Sequence, residues 1–176
     1  MANGTAEILH IYREGDDDPA KCSALRLERM EVATLHSHVE TLPEGTVLDP
    51  YADTALSPAD ALPVVAVDAS WENAEEVFGQ VDGRRRALPF LVAANPLNYG
   101  KPFQLNTSEA CIAALYVVGE RDAAREVADA VDYGDTFLTL NREPLERYAS
   151  CTDSTEVVEV QEDYLEEENG DTASTE

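Results

Sequence analysis

Basic residues are scarce: lysine and arginine together supply 12 of 176 positions, against 36 aspartates and glutamates, for a formal charge of −24. Lysine is almost missing, with only Lys21 and Lys101, and the other ten bases are arginines. That balance belongs to a protein that stays soluble in molar intracellular salt and points to a halophilic host. At such salt the Debye length shrinks to roughly 3 Å, so the net charge alone does not exclude a polyanionic partner such as RNA. Cysteine is also sparse. Cys22, Cys111 and Cys151 are odd in number and far apart, with no Cys-x-x-Cys pair and no neighbouring histidine cluster, which argues against a disulfide framework and a zinc site. His36 and His38 are too few for a metal centre. A signal-type apolar segment and a run of about 18 apolar residues are both missing, so the expectation is a soluble, cytoplasmic protein with no membrane partner.

One further absence is local. Residues 84–108 contain no acid, although about five would fall in a 25-residue window at the chain's average, and they carry four bases. An uncharged buried segment competes with a nucleotide or RNA site as the reason for excluding carboxylates, and the pattern within the window favours the site. Within the window an apolar run from Leu88 to Ala94, broken by Pro89, passes Pro96 into Asn95, Asn98, Gly100 and Pro102, turn formers that expose backbone N–H and C=O groups.

Residues 7–12 read as an opening strand, and Ser23 as the N-cap of a short helix with Arg26 and Arg29 three apart on one face. Val32 to Leu35 reads as a second strand, and Ser57-Pro-Ala-Asp60 as a helix start. From Leu62 a continuous apolar run reads as a buried parallel strand ending in Asp68, with Ser70 and Trp71 opening the next helix. In open α/β sheets, ligands gather at such strand ends. Asn106-Thr-Ser-Glu109 has the form of a capping box opening an apolar helix over residues 110–118, and amphipathic helices follow over residues 121–131 and 135–149, the last with a bend or restart near Pro144. Residues 152–176 hold ten acids and no base, with too few apolar residues to bury, so an acidic tail that is disordered or loosely docked is expected.

Taken together, the segments Asp18-Pro-Ala-Lys-Cys-Ser23, Leu56-Ser-Pro-Ala-Asp60, Val67-Asp-Ala-Ser-Trp71, Leu88-Pro-Phe-Leu-Val-Ala-Ala-Asn-Pro-Leu-Asn-Tyr-Gly-Lys-Pro102 and Phe137-Leu-Thr-Leu-Asn141 resemble the small-subunit rRNA aminocarboxypropyltransferases of archaea and eukaryotes. The resemblance spans nearly all of residues 7–151. It implies an α/β, SPOUT-like fold with a C-terminal trefoil knot, divided into a small N-terminal α/β subdomain (1–61), a cofactor-binding domain (62–151) and the acidic tail (152–176). It also implies S-adenosylmethionine (SAM) as donor of a 3-amino-3-carboxypropyl group to the imide nitrogen of a hypermodified uridine, typically N1-methylpseudouridine. By the same resemblance no metal is involved, and the protein acts as a monomer on small-subunit rRNA or a pre-ribosomal particle.

Position by position, the resemblance implies that Val67 holds the ribose hydroxyls through its carbonyl, while Leu88 and Phe103 read the adenine edge through backbone groups. Trp71 covers the sulfonium methyl, and Ser23 and Thr107 hold the ends of the methionine moiety. Asp68 lies nearest the acceptor base, as general base or as a hydrogen-bond acceptor that orients it. Lys21, Arg26, Arg29, Arg84, Arg85, Arg86 and Lys101 flank these motifs and are the expected RNA contacts; for Arg84 to Arg86 a solvated loop paired with surface acids is the alternative. The family pattern is departed from twice: Asp135 stands where a His is usual before Thr136-Phe137, and Pro144 interrupts a helix that is usually continuous. The competing functions are a SPOUT-type RNA methyltransferase and a non-catalytic ribosome assembly factor.

Overall fold

A computed structural model describes residues 4–14, 23–69 and 71–174. Lys21 lies outside the described residues, as do the side chains of Ser23 and Trp71. A short helix α1 (Thr5–Ile8) leads directly into strand β1 (Leu9–Arg13), so the expected opening strand begins two residues late. Helix α2 (Ser23–Arg29) starts at the expected serine. Then come β2 (Thr34–His36), β3 (Thr46–Leu48) and β4 (Val64–Asp68), the last being the buried parallel strand expected from its apolar run. Helix α3 (Trp71–Gln80) and strand β5 (Arg84–Arg86) complete the sheet, whose order is β2-β1-β4-β3-β5 with every pairing parallel.

The boundary expected after residue 61 does not fall between two sheets. β4 lies between β1 and β3, so strands from both sides of that boundary share one hydrogen-bonded ladder. Alternation along β4 assigns each residue to a layer. Val64 and Ala66 join the larger core with helices α4 (Thr107–Val117), α5 (Arg121–Asp129), α6 (Gly134–Leu140) and α7 (Arg142–Ala149), while Val65 and Val67 pack with Val77 and Phe78 of α3 on the other face. Ser57 to Asp60 is a turn, not a helix start. The Asp60 carboxylate accepts the Ser57 N–H at 3.0 Å, as the acid of a capping box does, and is held by the Arg86 guanidinium at 2.9 Å, but the chain turns here and no helix follows.

The restart expected near Pro144 is present: α6 ends at Leu140 and α7 begins at Arg142, with Pro144 in the first turn of α7, where its missing N–H costs no intrahelical bond. The chain restarts at Asn141, whose side chain accepts the Val92 N–H (2.8 Å) and donates to the Val92 carbonyl (2.9 Å), tying α6 and α7 to residue 92 of the central segment. Asp135, the other departure, accepts a hydrogen bond from Arg125 at the surface.

The acidic tail is a correction. Residues Ser154–Ser174 form helix α8, and its first half docks. Val157 is fully buried, and Val160 and Tyr164 pack against the core at the i, i+3, i+7 spacing of one helix face. Arg147 of α7 pairs with Asp163 at 2.7 Å and lies over the Tyr164 ring at 5.3 Å. Three apolar residues on one face are enough to seat a helix when the core already offers the complementary groove.

Candidate functional site

The central segment is built around one carboxylate. Glu109, at the third position of α4, is fully buried and accepts four N–H groups: from Ala94 (2.6 Å) and Asn95 (3.0 Å) on one oxygen, and from the Asn95 amide side chain (2.6 Å) and Asn106 (3.1 Å) on the other. In return the Asn106 side chain accepts the Glu109 N–H at 2.9 Å, which makes the capping box complete. A buried carboxylate is tolerable only when its lone pairs are filled in this way. Phe90, Leu91, Ala93, Ala94 and Asn95 are themselves buried. Further acids in this stretch would be buried without donors, which accounts for their absence from residues 90–95.

Beyond Asn95 the chain makes a tight excursion to the surface and returns. Gly100 donates to the Ala93 carbonyl (2.7 Å), Ala93 to Lys101 (3.0 Å) and Phe103 to Leu91 (3.0 Å). Phe103 is left-handed (φ 63°), a conformation unusual for a non-glycine residue and held here by that last bond. Its ring meets Phe90 edge-on with centroids 5.7 Å apart, and Phe90 stacks on Tyr164 of α8 at the same separation. The Phe90 carbonyl accepts the Tyr148 hydroxyl at 2.9 Å, and burial pushes the pKa of that phenol up.

Between this segment and the sheet lies a cleft of about 730 Å³. It opens at the C-terminal ends of β3, β4 and β5, the side on which parallel sheets present ligands. Four residues expected at the cofactor line it: Val67, Leu88, Phe103 and Thr107. Ser23 and Trp71 each begin a helix, α2 and α3, but their side chains lie outside the described residues. Asp68 follows Val67 on β4, and its carbonyl accepts the Glu14 N–H at 3.0 Å. Its carboxylate acts on Cys111 of α4: burial first, then the Asp68 charge, pushes that thiol up to about 12, so the cysteine stays protonated.

The lining includes residues that the sequence reading missed. Leu48 ends β3 and Pro50 follows it, Leu105 and Ala110 flank the start of α4, and Val158 and Gln161 come from α8. The charged residues of the lining are Asp49 and Asp53, both acidic. Asp49 is charge-compensated by Arg85 at 3.2 Å, which leaves Asp53 as the charged lining residue without an ion pair among the described residues, so the lining is predominantly apolar and suits an apolar guest.

The arginine triplet is a second correction. Arg84 to Arg86 form β5, not a loop, and two of the three are committed to the fold. Arg85 pairs with Asp49 at 3.2 Å and donates to the carbonyls of Phe78 and Val81, and Arg86 pairs with the nearly buried Asp60. Removing either would leave a buried carboxylate without its counter-ion. Arg84 and Arg29 remain exposed, as does Lys101 on the excursion, while Arg26 pairs with Asp132 at 3.0 Å on the surface. Among the described residues no group of three or more His, Cys, Asp or Glu could hold a metal, and no helix is long and apolar enough to cross a membrane.

Residues 46–165 match the family described as "Ribosome biogenesis protein, C-terminal". The 16S rRNA aminocarboxypropyltransferase of Halobacterium salinarum is 54% identical over 159 residues, covering 90% of this chain and 96% of that protein. The protein of the same name from Methanocaldococcus jannaschii is 41% identical over 168 residues, covering 92% and 98%. Among solved structures, the SAM-dependent rRNA:acp-transferase Tsr3 from Vulcanisaeta distributa superimposes with a TM-score of 0.75 at 37% identity, covering 90% of this chain and 95% of that one.

Proposed function

The chain belongs to the 16S rRNA aminocarboxypropyltransferase family, and from that membership we propose that its cleft binds SAM and that it alkylates a uridine-type base of 16S rRNA. The observation that carries the reading is the cleft itself, an apolar slot at the strand ends lined by Val67, Leu88, Phe103 and Thr107. Leu48, Pro50, Leu105 and Ala110 of the lining supply apolar surface for a purine. With Asp49 already paired to Arg85, Asp53 is the remaining lining carboxylate that a sulfonium can face.

SAM supplies an electrophilic carbon on sulfur, and the residues of this chain determine which carbon is presented. The Leu88 and Phe103 backbones, pinned by the Phe103–Leu91 bond, hold the adenine edge, and the Val67 carbonyl holds the ribose. Thr107 at the start of α4 and Ser23 at the start of α2 hold the methionine end, and Trp71 covers the methyl group. That arrangement turns the 3-amino-3-carboxypropyl carbon toward the acceptor, so that displacement releases 5′-methylthioadenosine. Asp68, at the end of β4 beside this site, accepts the imide proton or orients the base. Arg29, Arg84 and Lys101, exposed around the cleft elements, contact RNA phosphate, with Arg26 able to join them by leaving its surface partner.

The reading extends to a SPOUT-like sheet whose chain after β5 forms a trefoil knot, supported by the all-parallel order with β4 between β1 and β3. It also extends to a cytoplasmic monomer acting on the N1-methylpseudouridine of a pre-ribosomal particle. The test is incubation with SAM and 16S rRNA, followed by chromatography of the small products and mass analysis of the nucleosides. 5′-Methylthioadenosine with an aminocarboxypropylated nucleoside is expected. S-adenosylhomocysteine would make the protein a methyltransferase, and no turnover an assembly factor.

A further inference from the structure

Helix α8 reaches the cleft through two residues, Val158 and Gln161. Gln161 is half-buried, and its side-chain oxygen accepts the backbone N–H of Phe90 at 2.9 Å. Because an N–H can be accepted only by the oxygen end of a carboxamide, this bond fixes which way the group faces: the Nε2 amino end is left for another partner. Phe90 is clamped on every side, by Gln161 at its N–H, by Tyr148 at its carbonyl, and by Tyr164 and Phe103 at its ring. The Gln161 carboxamide is therefore anchored to a rigid point two residues from Leu88, at the end of the cleft that Leu88 and Phe103 line.

We propose that Gln161 is a cofactor-binding residue, with its anchored carboxamide donating a hydrogen bond from Nε2 to an acceptor atom of the purine. This rests on the reading of the cleft as a SAM site. A donor fixed at the edge of an apolar slot selects a base with an acceptor there, which a wall of Val and Leu would not do. The acidic helix thereby becomes part of the site, with Val158 closing the same wall by apolar contact.

The decisive variant is Gln161→Glu. It keeps the shape and the oxygen that accepts the Phe90 N–H, and it removes only the donor. The probe is 5′-methylthioadenosine, which is neutral, so the new carboxylate gains no attraction to a sulfonium. Titration calorimetry on the full-length protein should show wild-type melting and an affinity about three- to tenfold weaker, the loss of one net hydrogen bond, or more if the carboxylate faces a purine lone pair. Wild-type affinity in this variant would overturn the proposal. A second measurement is independent of the variant's folding. In ¹H–¹⁵N spectra of the wild-type protein the Gln161 side-chain NH₂ pair should move on saturation with 5′-methylthioadenosine, and an unmoved pair would overturn the proposal. Failure of the wild-type protein to bind both SAM and 5′-methylthioadenosine would instead remove the SAM reading on which it rests.

Discussion

The substitution Glu109→Gln changes one atom and should remove much of the stability of the central segment. The carboxylate accepts two N–H groups on each oxygen, at 2.6–3.1 Å, and is fully buried. Whichever end of a carboxamide becomes NH₂, it faces two donors: either the backbone N–H groups of Ala94 and Asn95, or the Asn95 side chain and the Asn106 N–H. Two charge-assisted hydrogen bonds are then lost, at about 1.5–3 kcal/mol each, so the expected destabilisation is about 3–6 kcal/mol. Set against a total of about 5–15 kcal/mol for a protein of ordinary stability, this is a large share. It corresponds to a fall in melting temperature of roughly 6 to 24 °C for a chain of this size. The assay is denaturant unfolding of wild type and variant in the same buffer, with SAM affinity measured on whatever folded fraction remains. Because Ala94 and Asn95 begin the excursion that returns through Phe103, affinity should fall along with stability. A Glu109→Gln variant within about 1 kcal/mol of wild type would refute the view that this carboxylate organises the segment.

Deleting residues 152–176 removes buried Val157, the Gln161–Phe90 hydrogen bond and the Tyr164–Phe90 stack; about 3 kcal/mol or more of stability should go with them, and thermal melts will show it. His36 bonds to His10 at 2.8 Å, and burial, then the neighbouring imidazole's charge, pulls its pKa below the ordinary 6.5. Below pH 6.5 the unfolded chain thus binds more protons at this site than the folded one, so stability conferred by neutral His36 is present above 6.5 and lost as pH falls through the lower folded value; a pH series of melts should show a slope just below 6.5 that His36→Gln flattens. Asp68→Asn should leave SAM affinity nearly unchanged and slow single-turnover transfer by about 10²–10⁴-fold if the carboxylate takes the imide proton, with the deficit shrinking as pH rises. A smaller, pH-independent loss would make it an orienting group.

What the sequence by itself determined were features encoded within a turn or two of chain. The Asn106–Glu109 capping box, the serine that opens α2, the unbroken apolar runs of β4 and α4 and the amphipathic α5 are each specified by residues three or four apart, or by a continuous run, and each stands where those residues put it. Motif order carried the family, and with it four residues that line one cleft. Tertiary structure decided the rest, because the deciding partner lay far along the chain. Strands β3 and β5 are three residues each, too short to show a period, and exist because β4 offers one a partner and β3 the other. Arg85 and Arg86 look like a basic patch until sheet register brings Asp49 and Asp60 to them from 36 and 26 residues away. The acidic tail reads as unable to bury itself, which is true of the tail alone. Its three apolar residues need only a groove supplied by the rest of the fold, and Phe90 and Tyr148, which meet Tyr164 there, belong to distant segments of the chain.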